Sequence, residues 1–209
     1  MLFHYNEDMF SKINISSLKR NPLKDIFVKT SHQKVLSYFL AHPGRRFYGA
    51  EISRETGIST GQVSSVLNCL LKAGLVEKDR RGRTELYTIH AEKPALRIYK
   101  VLNTVVSIEP LIERLSEVSR RIILYGSCAK GVNVEESDLD ILVVSSKRKA
   151  VLGLISEFPA TAYYGFAEIK PVIKTPAEWA ALEDKSPVFY NEVQNGILLY
   201  EKEIDESRL

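Results

Sequence analysis

Between Ser31 and Gly44 the apolar residues Val35, Leu36, Phe39 and Leu40 recur at helical spacing, and His42-Pro43-Gly44 closes the run. A second short helix is predicted over about Gly49–Thr56, with Ile52 inward and Gly57 at its end. A third covers GQVSSVLNCLLKAG. Its positions Val63, Val66, Leu67, Leu70 and Leu71 share one face, with Ser59 or Thr60 as the N-cap and Gly74 as the C-cap. Cys69 lies on the same helix and is expected to be a small buried hydrophobe. The period then changes. LVEKDRRGRTELYTIH reads as a β-hairpin with Leu75, Val76, Leu86, Tyr87 and Ile89 as its apolar positions and Arg81-Gly82-Arg83 at its tip. Residues 1–29 carry no comparable pattern. Pro22 breaks that segment, and Leu23, Ile26, Phe27 and Val28 are free to pack on the next element.

Downstream, Pro94 opens a predicted helix in which Leu96, Val101, Leu102 and Val105 face either the preceding unit or a second copy of it. Pro110 is placed in the first turn of another helix, capped by Ser107. The boundary between two modules is therefore expected near 93–107. Ile122–Tyr125 form a short buried strand and Asp140–Val144 the next. SKRKAVLGLISEF is helical, TAYYGFAEIKPVIKT is extended, AEWAALEDKS and PVFYNEVQN are helical, and GILLYEKE is a final strand. Strands alternating with helices predict an α/β sheet of mixed pairing, in a chain that is α+β overall.

Composition narrows the class. Apolar residues make up 44% and charged residues 26% of 209, an ordinary globular balance that can fill real cores. No apolar run reaches the length of a membrane span, and Glu7 and Asp8 stand where a secretory signal would be basic and then apolar. A cytoplasmic protein without membrane attachment is expected. Two cysteines, Cys69 and Cys128, make neither a disulfide framework nor a four-ligand zinc site. The net charge of +3 is unevenly spread. Residues 1–105 hold an excess of Lys and Arg, and residues 106–209 an excess of Asp and Glu. A basic half suits a polyanion; an acidic half suits metal cations.

Three helices and a basic hairpin over about residues 30–92 resemble the winged helix-turn-helix domain of bacterial and archaeal transcription regulators. The resemblance implies a third helix in the DNA major groove and a wing along the backbone. The outward face of that helix offers Thr60, Gln62, Ser64, Ser65 and Asn68, small or amide groups able to read base edges or bond phosphate. The wing offers Lys78, Arg80, Arg81 and Arg83 for phosphates, and Arg45 and Arg46 add charge nearby. Winged helices also serve as dimerisation or protein-binding modules, so both roles stay open.

The chemistry of the second half gathers in GSCAKGVNVEESDLDILVV. Residues i and i+2 of a strand share a side, so Asp138 and Asp140 project together while Leu139 and Ile141 face the opposite layer. Two carboxylates on one face form a hard-oxygen site for Mg²⁺ or Mn²⁺. Upstream, the amides and hydroxyl at Gly126-Ser127 can cradle a phosphate. Gly126, Ser127, Ala129, Gly131, Ser137, Asp138 and Asp140 match G-S-x-A-x-G-x5-S-D-x-D, which resembles the signature of the DNA polymerase β-like nucleotidyltransferases, in particular their minimal branch.

The resemblance implies two metal ions held by Asp138 and Asp140, a nucleoside triphosphate bound through Gly126, Ser127, Ser137 and Lys130, and a third carboxylate on a later strand. Glu168 is the candidate for that carboxylate, as metal ligand or general base. The alternative is a plain surface glutamate paired with Lys170 or Lys174. Pro171 places its strand at an edge or bulge. The segments expected are an extension (1–29), the winged domain (30–92), a connector helix (93–106) and the nucleotidyltransferase domain (107–209). The functions expected are transfer of AMP from ATP to a hydroxyl of a protein or nucleic acid, or nucleotide sensing by a DNA-binding regulator or antitoxin. The partners expected are DNA, a partner toxin protein and a second copy of the chain.

Overall fold

The computed structural model describes residues 22–82, 84–158 and 166–202. The N-terminal half opens with α1 (Pro22–Phe27), where Pro22 starts a helix instead of breaking one. Leu23 and Val28 are half-buried, while Ile26 and Phe27 stay exposed. Then follow α2 (Ser31–Ala41), β1 (Phe47–Tyr48), α3 (Gly49–Thr56), α4 (Thr60–Lys72), β2 (Val76–Arg81) and β3 (Thr84–Ile89). Helix α2 begins on a capping box: Gln33 N donates to Thr30 Oγ1 at 3.2 Å, and Thr30 N donates to Gln33 Oε1 at 2.9 Å. On α4 the apolar stripe Val63, Val66, Leu67 and Leu70 is buried against Val35, Phe39, Leu40, Phe47 and Ile52. Each such side chain contributes about 1.5–3 kcal/mol.

Two differences from the expected pattern have physical reasons. The hairpin is joined by β1, which pairs antiparallel with β3 to give the order β1-β3-β2. A two-residue strand is too short to show a period. Cys69 is exposed, not buried, because it falls on the flank of α4, outside the buried stripe of Val63, Val66, Leu67 and Leu70.

Helix α5 runs unbroken from Pro94 to Ser116, with Pro110 inside it. This corrects the expected pair of helices split at Ser107, which is a buried mid-helix residue. Losing one hydrogen bond at Pro110 is outweighed because both ends of the helix are anchored in apolar cores. Leu96 packs into the core of the first half; Ile108, Leu111, Ile112 and Leu115 pack into that of the second.

The second half comprises β4 (Arg121–Tyr125), α6 (Gly126–Lys130), β5 (Leu139–Val144), α7 (Arg148–Ser156), β6 (Ile169–Lys174), α8 (Pro176–Ala180), α9 (Leu182–Lys185), α10 (Pro187–Gln194) and β7 (Ile197–Glu201). Its sheet has the order β6-β5-β4-β7, with β5 and β6 parallel and the other neighbours antiparallel. The mixed pairing follows the alternation of strands and helices, and Pro171 lies on the edge strand β6. Alternation along β4 and β5 builds two layers. Ile122, Leu124, Leu139, Ile141 and Val143 join the core with α5 and α7. Ile123, Tyr125, Leu142 and Val144 face Val193, Trp179 and Phe189. Among the described residues no helix is long and apolar enough to cross a membrane.

Candidate active site

Strand β4 ends at Tyr125, and the chain turns at Gly126 with φ 73° into the single turn of α6. Only glycine suits this turn. A Cβ at Gly126 would lie 2.5 Å from Asp140 Oδ2. The cause is strand pairing: Tyr125 stands opposite Asp140 across β4 and β5, which brings the Asp140 carboxylate against the turn. Cys128 Sγ donates to Asp138 O at 3.4 Å, tying α6 to the entrance of β5. Burial pushes the Cys128 thiol up to about 12, so it is a structural group and not a nucleophile.

Asp138 and Asp140 share the strand face opposite Leu139 and Ile141, which lie in the core. Burial above all, and then the charges of Asp138 and Glu192, raise the Asp140 carboxyl above its ordinary value, while Lys170 acts in the other direction. Two hard-oxygen donors on one face, one of them charged against a desolvation cost, fit a divalent cation.

Glu168 enters the site differently. Its carbonyl accepts from Leu139 N at 2.8 Å, which holds the strand beside β5. Its carboxylate is exposed and lies 3.2 Å from Lys170 Nζ. The same ammonium lies 2.8 Å from Asp138 Oδ2. Both carboxylates hold the Lys170 proton more tightly than usual. Among the described residues no group of three or more His, Cys, Asp or Glu side chains is placed to hold a metal. Asp138 and Asp140 are brought together; Lys170 stands between them and Glu168.

The remaining nucleotide candidates are distributed as follows. Ser127 is half-buried on α6, and Lys130 is exposed at its end. Ser137 Oγ accepts from Val134 N at 2.9 Å, so its hydroxyl closes the loop before the aspartates. That loop also touches the N-terminal half. Lys100 of α5 donates to Asn133 O. His42 Nδ1 is 2.9 Å from Glu135 Oε2. A Cβ at Gly131 would lie 2.3 Å from Arg97 O, so only glycine lets the loop approach α5 this closely.

In the N-terminal half Thr60, Gln62, Ser64, Ser65 and Asn68 are all exposed on α4, as are Arg80 and the α3 flank of Arg45 and Arg46. A groove of about 400 Å³ separates α4 from β3, lined among others by Tyr48, Thr60, Ser64, Arg80 and Tyr87. Several nearby cations have acidic partners: Arg46 with Asp79 and Arg45 with Glu51, each at 3.3 Å, and Lys78 with Glu85 at 3.0 Å. Exposed pairs of this kind contribute about 0–1 kcal/mol and exchange readily for other anions. The Arg81 side chain and Arg83 lie outside the described residues.

Two residues of the site were not assigned to it from the sequence. Glu192, on α10, adds negative charge at Asp140. Lys170 was noted only as a neighbour of Glu168. Its signal was available: Glu168 and Lys170 are two apart on a strand, so they share a side. What placed them beside Asp138 was the parallel register that sets Lys170 opposite Asp140.

A strand, a glycine turn, a one-turn helix and a returning strand that opens on two aligned aspartates make up the candidate site. Residues 107–205 match the family model described as "Nucleotidyltransferase domain". The match supports assigning this part of the chain to the nucleotidyltransferase superfamily, and nucleotidyl transfer as its general chemistry. No curated protein and no solved structure gave a match.

Proposed function

We propose that the protein transfers a nucleoside monophosphate, AMP from ATP, to a hydroxyl group on a protein or nucleic-acid acceptor: the hydroxyl oxygen bonds the α-phosphorus, the α–β anhydride bond breaks and pyrophosphate leaves. The observation that carries this is the fit of the Gly126 turn against the Asp140 carboxylate, within the segment that matches the nucleotidyltransferase family model. Gly126 and Ser127 offer amides and a hydroxyl to the β- and γ-phosphates, and Lys130 adds positive charge at the end of α6. Asp138 and Asp140 hold Mg²⁺ or Mn²⁺. A metal bound there supplies Lewis-acid stabilisation of charge on the transferring phosphoryl group. Asp140→Ala is expected to abolish label transfer from α-labelled ATP in the presence of Mg²⁺ and candidate acceptors. Equal labelling by wild type and variant, or none with any acceptor, overturns the enzymatic reading.

A second reading is favoured by the polar, exposed face of α4 beside the hairpin of β2 and β3. Here residues 30–92 act as a winged helix on DNA, and the nucleotide site serves a regulator or antitoxin as a sensor without turnover. Thr60, Gln62, Ser64, Ser65 and Asn68 contact the duplex, and Arg80, Arg81 and Arg83 neutralise phosphates. A homodimer and a partner toxin fit either reading. Arg81→Ala combined with Arg83→Ala is expected to weaken DNA binding across all sequences and to shallow the salt slope by about 2. Unchanged affinity, or no binding at low salt, removes this reading.

A further inference from the structure

We propose that the Lys170 ammonium takes one of the two cation positions in the site, between Asp138 and Glu168, so that the site holds a single divalent ion, at Asp138 and Asp140. This rests on the nucleotidyltransferase reading of the same residues and specifies which of them face the metal.

The geometry supports the assignment from both sides. Lys170 Nζ lies 2.8 Å from Asp138 Oδ2 and 3.2 Å from Glu168 Oε1, so one ammonium bridges the two carboxylates. The bridge is built by the fold. The parallel register sets Lys170 opposite Asp140, and alternation along the strand puts Glu168 and Lys170 on one side. A lysine stem is long enough to reach from there to the neighbouring Asp138. Asp138, Asp140, Glu168 and the nearby Glu192 against one ammonium leave three negative charges, two of which a single divalent ion balances. A second divalent ion would have to displace the ammonium from both of its partners. The Lys170 side chain is half-exposed. Glu168 is left as the counter-anion of Lys170 and not as a metal ligand.

The alternative is an ordinary surface ion pair with no bearing on metal. The test is Mn²⁺ titration of the full chain, followed by the paramagnetic resonance signal of free Mn²⁺, for wild type, Lys170→Gln and Lys170→Arg. Wild type is expected to bind one Mn²⁺. Lys170→Gln is expected to bind two, with the first about tenfold tighter, since a unit charge ~6 Å from a divalent ion in water repels it by about that factor. Lys170→Arg keeps the charge and is expected to match wild type. A Lys170→Gln protein unchanged in both number and affinity overturns the proposal alone. A Lys170→Arg protein that binds a second ion overturns it as well, and this arm stands even if the glutamine variant does not fold. No Mn²⁺ bound by any of the three proteins overturns the proposal together with the metal clamp of the nucleotidyltransferase reading.

Discussion

Helix α4 and the entrance of β5 carry the candidate chemistry of the two halves, and they are built in opposite ways. On α4 every functional candidate comes from one helix and is exposed because a buried stripe occupies the other side. At β5 the candidates come from three separate segments: the Gly126 turn, the Asp138–Asp140 strand entrance and the β6 residues Glu168 and Lys170. The first arrangement tolerates small changes because each side chain is exposed at its own position on one helix. The second does not, because each group is positioned by another. The Asp140 carboxylate fits only because Gly126 lacks a Cβ, and Asp138 meets an ammonium only because β5 and β6 pair in one register.

The strongest way to break this comparison is Gly126→Ala. The new methyl would meet Asp140 Oδ2 at 2.5 Å in a left-handed conformation that by itself costs about 1–2 kcal/mol. The carboxylate must move, and displacement of that size is expected to cost about a hundredfold in transfer rate. Ser64→Ala on α4, which fills no space, is expected to leave circular dichroism and thermal stability unchanged. Full transfer activity in Gly126→Ala would show that the turn does not position Asp140.

A smaller effect tests the contact between the halves. Burial lowers Lys100 from its ordinary 10.5 to about 8. Between those values the unfolded chain keeps a proton that the folded chain has shed. Stability should therefore rise with pH through this window, by up to about 1.4 kcal/mol per pH unit. Above pH 9 the raised Cys128 thiol, and above pH 10 the raised tyrosines Tyr38, Tyr87 and Tyr125, work the other way, since unfolding then releases protons. Urea unfolding of wild type and Lys100→Met between pH 7.5 and about 10 reads this directly. The variant should lack the rise. A rise of equal size in both would place its cause elsewhere than Lys100.

The mildest test uses the two cysteines, one in each region. Cys69 is exposed on α4, and Cys128 is buried under the glycine turn with its thiol pushed up to about 12. A thiol reagent is expected to modify Cys69 alone in the native protein and Cys128 only on unfolding. Rapid modification of Cys128 in the folded chain would show that α6 opens, and with it the candidate site.

What could be read along the chain was whatever repeats within a few residues. The period of α4 separated Val63, Val66, Leu67 and Leu70 from Gln62, Ser64, Ser65 and Asn68. Alternation along β5 put Asp138 and Asp140 together, and the glycine-serine turn stood out as a break between strand and helix. These features are local because 3.6-residue and two-residue periods need no partner to be visible. The continuity of α5 through Pro110, the exposure of Cys69, the added strand β1, the charge of Glu192 at Asp140 and the insertion of Lys170 between Asp138 and Glu168 were decided only by tertiary structure. Each depends on which element lies alongside which. Pairing energies between distant strands and the shared burial of a long helix in two cores set that choice, and neither leaves a periodic trace in the order of the residues.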